Sequence, residues 1–355
     1  MSKCFPLFTT APSRIDAAPD WVKRSPDDSP RNVSGPVPHQ ELTAVGNLLP
    51  KIGITTRRLK QLETISLIRE QRDSGHQELA YNARPFVLCG IPLRRPPRDQ
   101  LAYLRRNGKF FLEIIGHPRF GLPYGQDRLI PIWIATLALQ QNSRIVHFRR
   151  ASQMLEFFHL TKDGRHYRRI VEGFQRVFAA TIFFGTDDQP GRNRMTDCTR
   201  FHFFERMRLW FADADPASED GRFENAITLS DAFFRECNQH RIPVEREVVA
   251  ALANAPGLLD FYVWLVWKSW SLRGRTARIP LLGPGGLTEQ LGNAPYAVER
   301  TFRLTISRWL RAVTALWPQC PASVSEDGHA LVVRSSQTAS AVRRRFCAKA
   351  YASAE

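Results

Sequence analysis

Tyr296–Trp317, YAVERTFRLTISRWLRAVTALW, runs into Ala322–Val324, the turn Glu326-Asp327-Gly328-His329 and Ala330–Arg334, and this stretch decides the fold. A helix advances about 100° per residue, so its faces can be counted. Val298, Phe302, Ile306, Trp309, Leu310, Val313, Leu316 and Trp317 share an arc of roughly 120°. Arg300, Arg303, Ser307 and Arg311 fall within roughly 80° on another side, with Thr301 and Arg308 extending it. One face is therefore built to bury and the other to project donors. Asp-Gly between two short apolar runs is a hairpin signal.

Reading backwards, Leu258–Leu272 is an apolar helix, Arg278–Leu282 a strand and Gly286–Leu291 a short helix. The order helix, strand, helix, long helix, hairpin is that of a winged helix, whose second helix-turn-helix segment enters the major groove. The same order occurs roughly 130 residues earlier. Gln126–Gln141 is a helix, Arg144–Phe148 a strand, Ala151–His159 a helix and Asp163–Ala179 a longer helix. Two β-rich runs, Thr181–Gly185 and Phe201–Phe211, are expected to close that unit as its wing. On the longer helix Tyr167, Ile170, Val171, Phe174, Val177 and Phe178 form the apolar arc, and Arg165, Arg169 and Arg176 lie within roughly 40° of one another on the far side. Arg192 and Arg194 lie between the two β-rich runs, where phosphate contact suits them.

Charge on the outer face of an amphipathic helix is ordinary. The sign is what distinguishes these two helices, since arginine dominates both outer faces and Glu172 is the main exception. The whole chain of 355 residues has 50 Lys+Arg against 34 Asp+Glu, a formal charge of +16, which favours a polyanionic partner. Double-stranded DNA is the expected partner, and the DNA-binding residues are expected to be Arg300, Arg303, Ser307, Arg308, Arg311 and Thr301 in one unit and Arg165, Arg169, Arg176, Arg192 and Arg194 in the other.

The expected fold class is mainly α with small β-hairpins (α+β), as tandem winged-helix domains preceded by a flexible N-terminal region. Residues 1–75 are rich in Pro, Ser and Asp at their start and read as mostly disordered. One helix near 55–72 reads either as a dimerisation or host-partner helix or as an ordinary surface helix. Residues 76–114 read as a basic linker or leading segment. Residues 115–225 form the first winged-helix domain, 226–335 the second, and 336–355 a basic C-terminal tail. No run of 18 or more apolar residues points to a membrane span, and six scattered cysteines, with no CxxC, fit a reducing cytoplasm.

No catalytic residues, metal or cofactor are expected, so the chain reads as a non-enzyme. No His-x-His pair serves a nicking tyrosine, and no GxxxxGK[ST] serves an ATPase. Tyr124 in LPYGQD reads as a packed loop aromatic. GPGGLTEQLG at Gly283–Gly292 lacks the lysine and the βαβ setting of a nucleotide cradle.

Seven collinear stretches resemble the RepA-type plasmid replication initiators, the family defined by the RepA C-terminal region. They are GHPRFGLPYGQDRLIPIWIATLAL at Gly116–Leu139, YRRIVEGFQRVFAATIFFGT at Tyr167–Thr186, RFHFFERMRLWF at Arg200–Phe211 and ENAITLSDAFF at Glu224–Phe234. LANAPGLLDFYVWLVWKSW at Leu252–Trp270, RIPLLGPGGLTEQLG at Arg278–Gly292 and the run Glu299–Val333 complete the series. The resemblance implies binding to repeated sites in a plasmid origin, opening of an adjacent AT-rich stretch and recruitment of host replication proteins such as the host initiator and helicase. It also implies a homodimer formed through the first unit and, in some members, autoregulation. The alternative is a winged-helix transcriptional regulator without a replication role, and a third class is a nicking enzyme.

Overall fold

The computed structural model describes residues 56–187, 196–209, 225–283, 285–291 and 299–336. Expectations for residues 1–55, for Arg192 and Arg194, and for the tail beyond 336 lie outside the described residues. The fold is mixed helix and sheet, as expected of the α+β class.

Helix α1 (Thr56–Ser74) docks through Ile68, which is fully buried. Its Arg72 reaches inward, with Nε donating to Glu245 at 3.0 Å and Nη1 to the Leu316 carbonyl. Strand β1 (Leu79–Ala83) is buried along its whole length, and helix α2 (Arg84–Leu88) follows it directly. Pro85 suits the start of α2, because the first turn of a helix has no use for its missing N–H. Strands β2 (Ala102–Asn107) and β3 (Phe110–Ile115) form a hairpin closed by Gly108-Lys109. Gly108 has φ 57°, which a two-residue hairpin loop demands and which only glycine adopts cheaply.

A 3₁₀ turn, Gly125–Arg128, leads into helix α3 (Leu129–Gln140). This helix is apolar on nearly every side and so lies at the centre of the core. Strand β4 (Ile145–Phe148), helix α4 (Gln153–Phe157) and helix α5 (Gly164–Ala179) follow. The Asp163 carboxylate caps α5 by accepting from the His166 N–H at 2.7 Å. Strands β5 (Thr181–Asp187), β6 (Thr196–His202), β7 (Phe204–Arg208) and β8 (Asn225–Leu229) come next, then helix α6 (Asp231–His240).

Strand β9 (Arg241–Glu245), helix α7 (Arg246–Leu252) and helix α8 (Pro256–Ser271) lead into the last unit. It consists of strand β10 (Thr276–Pro280), helix α9 (Leu287–Leu291), helix α10 (Glu299–Leu316) and the hairpin β11 (Ala322–Val324) and β12 (Ala330–Arg334). The described residues form four sheets with strand orders β1-β9, β10-β12-β11, β2-β3-β5-β6 and β4-β8-β7. All neighbouring strands in them are antiparallel.

Two expectations need correction. Residues 76–114 do not form a linker: β1 pairs with β9, the Tyr81 N–H donates to Thr136 Oγ1 on α3 at 2.9 Å, and β2 and β3 complete a sheet with β5 and β6. Segment composition hid this, because the partners of β1 and β3 lie far along the chain. The hairpin that closes the first unit is β7–β8, which pairs with β4, whereas β5 and β6 belong to the sheet with β2 and β3. The expected run from Phe201 is broken at Phe203, and the strands on either side of it, β6 and β7, serve different sheets.

The two units share one contiguous apolar core that runs from Ile68 to Val333. Trp133 meets Phe148 and Phe174 edge to face, and Phe86, Phe203 and Phe233 pack together, as aromatic quadrupoles favour. A buried ion pair also joins the units. Arg128, at the start of α3, donates from Nε to Asp260 Oδ1 at 2.8 Å and from Nη2 to Oδ2 at 2.9 Å, across to α8. No described helix is long and apolar enough to cross a membrane.

Candidate nucleic-acid interface

Helix α10 divides as its sequence pattern requires. Phe302, Ile306, Ala312 and Val313 are fully buried, and Arg300 and Arg311 are exposed. Arg308, Thr301 and Ser307 are half-buried. The Ser307 hydroxyl donates to the Arg303 carbonyl at 2.9 Å, so its donor is already engaged on its own helix. Arg303 is also half-buried and leans away from the row. Its Nη2 lies 3.2 Å from His329 Nδ1, and its side chain packs beside Gly328, both in the turn of the β11–β12 hairpin. Hairpin and helix thus hold one another through Arg303.

The hairpin tip is itself ordered by Asp327. Its carboxylate accepts from Ser325 Oγ at 2.6 Å and from the His329 N–H at 3.0 Å, and it pairs with Arg278 on β10. The Ser325 hydrogen bond first, and the His329 N–H next, hold the Asp327 carboxyl down at about 2.

Leu304 was missed by sequence reasoning. It is 48% exposed, lies between Arg300 and Arg311 along the helix, and points about 40° from Arg300. An exposed leucine inside a row of arginines was the available signal. Apolar contact with a thymine methyl is the chemistry it offers.

On helix α5, Arg165, Arg168 and Arg169 are all exposed. Arg176 corrects the expectation that it joins them. It is 7% exposed, and its Nε and Nη2 donate to the two oxygens of buried Asp127 at 2.7 and 3.0 Å. The guanidinium also lies 4.7 Å from the centroid of the Tyr124 ring. Burial opposes its charge, but the Asp127 carboxylate outweighs burial and raises the Arg176 pKa above its ordinary value. The face that carries Arg165 and Arg169 is open near the start of α5 and covered near its end by the Tyr124–Asp127 turn. Gly173 permits that cover, since a Cβ there would meet Asp127 Oδ1 at 2.7 Å.

The structure therefore offers two helical faces with accessible arginine, Arg165, Arg168 and Arg169 on α5 and Arg300 and Arg311 on α10. In the second unit the helix lies beside a hairpin whose strand β12 also pairs with the earlier strand β10. In the first unit β4 pairs with β8 of the β7–β8 hairpin in the same manner.

The class so defined is an α+β protein in which the order helix, strand, helix, helix, hairpin occurs twice around one core, with β5 and β6 set between α5 and β7 in the first occurrence. Residues 122–279 match the family model of the plasmid encoded RepA protein, from the turn before α3 into β10. Over that stretch the chain is similar to the plasmid RepA family, the resemblance its sequence carries. No curated protein matches the sequence. Among solved structures it is similar to a crystal structure of RctB domains 2-3, at 15% identity and a TM-score of 0.47, covering 71% of this chain and 97% of that one. It is also similar to a selenomethionine derivative of the same two domains, at 15% identity and a TM-score of 0.46, covering 70% and 96%.

Proposed function

We propose that this chain is a cytoplasmic plasmid replication initiator that binds repeated double-stranded sites at an origin, recruits host replication proteins and has no catalytic centre of its own. Each unit is read as a winged helix, with α5 and α10 as the groove-entering helices. The β7–β8 and β11–β12 hairpins are read as the wings. The observation that carries the reading is the arrangement around α10. That helix buries one side, turns Arg300 and Arg311 outward and leans on an adjacent hairpin through Arg303. Arginine bridges guanine O6 and N7 or pairs with phosphate, so either exposed guanidinium has a partner on a duplex. The family match supports the initiator role.

Arg300→Ala with Arg311→Ala is expected to weaken binding to DNA flanking the gene in mobility shifts. The salt slope should fall by about one for each phosphate that is no longer neutralised. Unchanged affinity would show that α10 does not carry the contact. A plasmid lacking its own initiator, supplied with this gene and its flanking DNA, is expected to replicate. Specific binding without replication would favour a transcriptional regulator.

A further inference from the structure

The four-stranded sheet β2-β3-β5-β6 has one face on the core and one turned outward. Side chains directly opposite in register share a face. Leu112, Ile114, Ile182, Phe184 and Phe201 occupy the inner face and are buried. The outer face contains the row Leu104, Glu113, Phe183, Arg200 and, next to it, the row Arg106, Phe111, Gly185, Cys198. Of these eight residues Gly185 alone is buried, and Leu104 is 53% exposed. A sheet that needed only to cover a core would place polar residues here.

Two phenylalanines, Phe111 on β3 and Phe183 on β5, instead sit half-exposed as diagonal neighbours, a separation of about 7–8 Å. The Arg106 guanidinium lies over the Phe111 ring at 5.9 Å, and Arg200 stands at the end of the Phe183 row. Glu113 is the acidic residue between them.

We propose that this outer face binds single-stranded nucleic acid, with bases stacked on Phe111 and Phe183 and the backbone paired with Arg106 and Arg200. The proposal deepens the initiator reading by naming a second nucleic-acid form, bound at a surface separate from α5 and α10. Three features favour this occupant. Unpaired bases lie flat on aromatic side chains that stand on a sheet face, as Phe111 and Phe183 do. The guanidinium groups outnumber the carboxylate, which suits a phosphate backbone. A second copy of the chain docked face to face would gather four guanidinium groups, from Arg106 and Arg200, against two carboxylates from Glu113.

The full chain is titrated, by fluorescence anisotropy, into a labelled oligothymidylate of roughly 16 nucleotides and, separately, into labelled duplex from DNA flanking the gene. Phe111→Ala with Phe183→Ala, and Arg200→Glu alone, are each expected to weaken oligothymidylate binding about tenfold or more, while duplex binding stays within about twofold. Arg300→Ala with Arg311→Ala is expected to do the reverse. Circular dichroism checks the fold, and Arg200→Glu, an exposed position, decides alone if the double alanine variant misfolds. Unchanged oligothymidylate affinity in a folded Arg200→Glu variant overturns the proposal. So does a shift from dimer to monomer in sedimentation with single-strand affinity intact, which would assign the face to a second copy. Loss of duplex binding in the α10 variant bears only on the initiator reading.

Discussion

Replacing Asp260 with alanine strands the Arg128 guanidinium inside the protein. The Arg128 side chain is 6% exposed, and Asp260 supplies both of its carboxylate contacts, at 2.8 and 2.9 Å. What remains are two neutral acceptors, the Ile91 carbonyl at 2.9 Å and the Gly125 carbonyl. Removing one partner of a buried pair costs about 3–5 kcal/mol, because the survivor keeps its charge without an anion. With an m-value of about 2–3 kcal/mol/M in urea, the unfolding midpoint should fall by about 1–2.5 M. Burial raises the Asp260 carboxyl above its ordinary pKa, despite the pull of Arg128. Desolvation is therefore not fully repaid by the pair's attraction, and an apolar replacement of both residues should be tolerated. Arg128→Met with Asp260→Leu is expected to regain most of the lost midpoint. If the single variant leaves the urea midpoint unmoved, or the double variant falls as far as the sum of both singles, the reasoning is refuted.

Arg176→Ala should destabilise the protein by about 3–5 kcal/mol, because it leaves Asp127 buried without its cation, whereas Arg169→Ala should leave stability unchanged and weaken duplex binding. Equal effects of the two variants on DNA affinity, with equal stability, would return Arg176 to the DNA-facing row. Asp327 has a folded pKa below its unfolded value, so its contribution to the hairpin tip is complete above about pH 4 and is lost as pH falls towards about 2. Amide exchange in the β11–β12 turn should accelerate over that window. Asp327→Asn should remove the pH dependence there.

Helices α5 and α10 were legible because each has a clean apolar period, α3 and α8 because each is a long apolar run, and the last hairpin because Asp-Gly sits between two short apolar runs, whereas α2, α6 and α7 were not assigned. Strands β1, β2 and β3 were not legible. Leu79–Ala83 is uniformly buried and so shows no alternation, and its partner Arg241–Glu245 is a non-local one. Ala102–Asn107 alternates between exposed and half-buried residues, and its polar RRN ending reads as linker. Arg176 shows the limit of helical counting, which treats a face as uniform along its length when one end of α5 is covered and the other open. Leu304 interrupts a row of arginines and was readable there, whereas Phe111 and Phe183 come together only through strand pairing and do not stand out in a linear pattern.

The pairing of β1 with β9 also has a consequence for synthesis. Leu79–Ala83 leaves the ribosome roughly 160 residues before Arg241–Glu245, an interval of about ten to thirty seconds at ordinary elongation rates. Throughout that delay a strand destined for the interior has no native mate, and the first unit cannot close its core. The nascent chain therefore passes through a stage that invites holdase binding, and a message cut before residue 241 yields a product with a sticky edge where an independent first domain was expected.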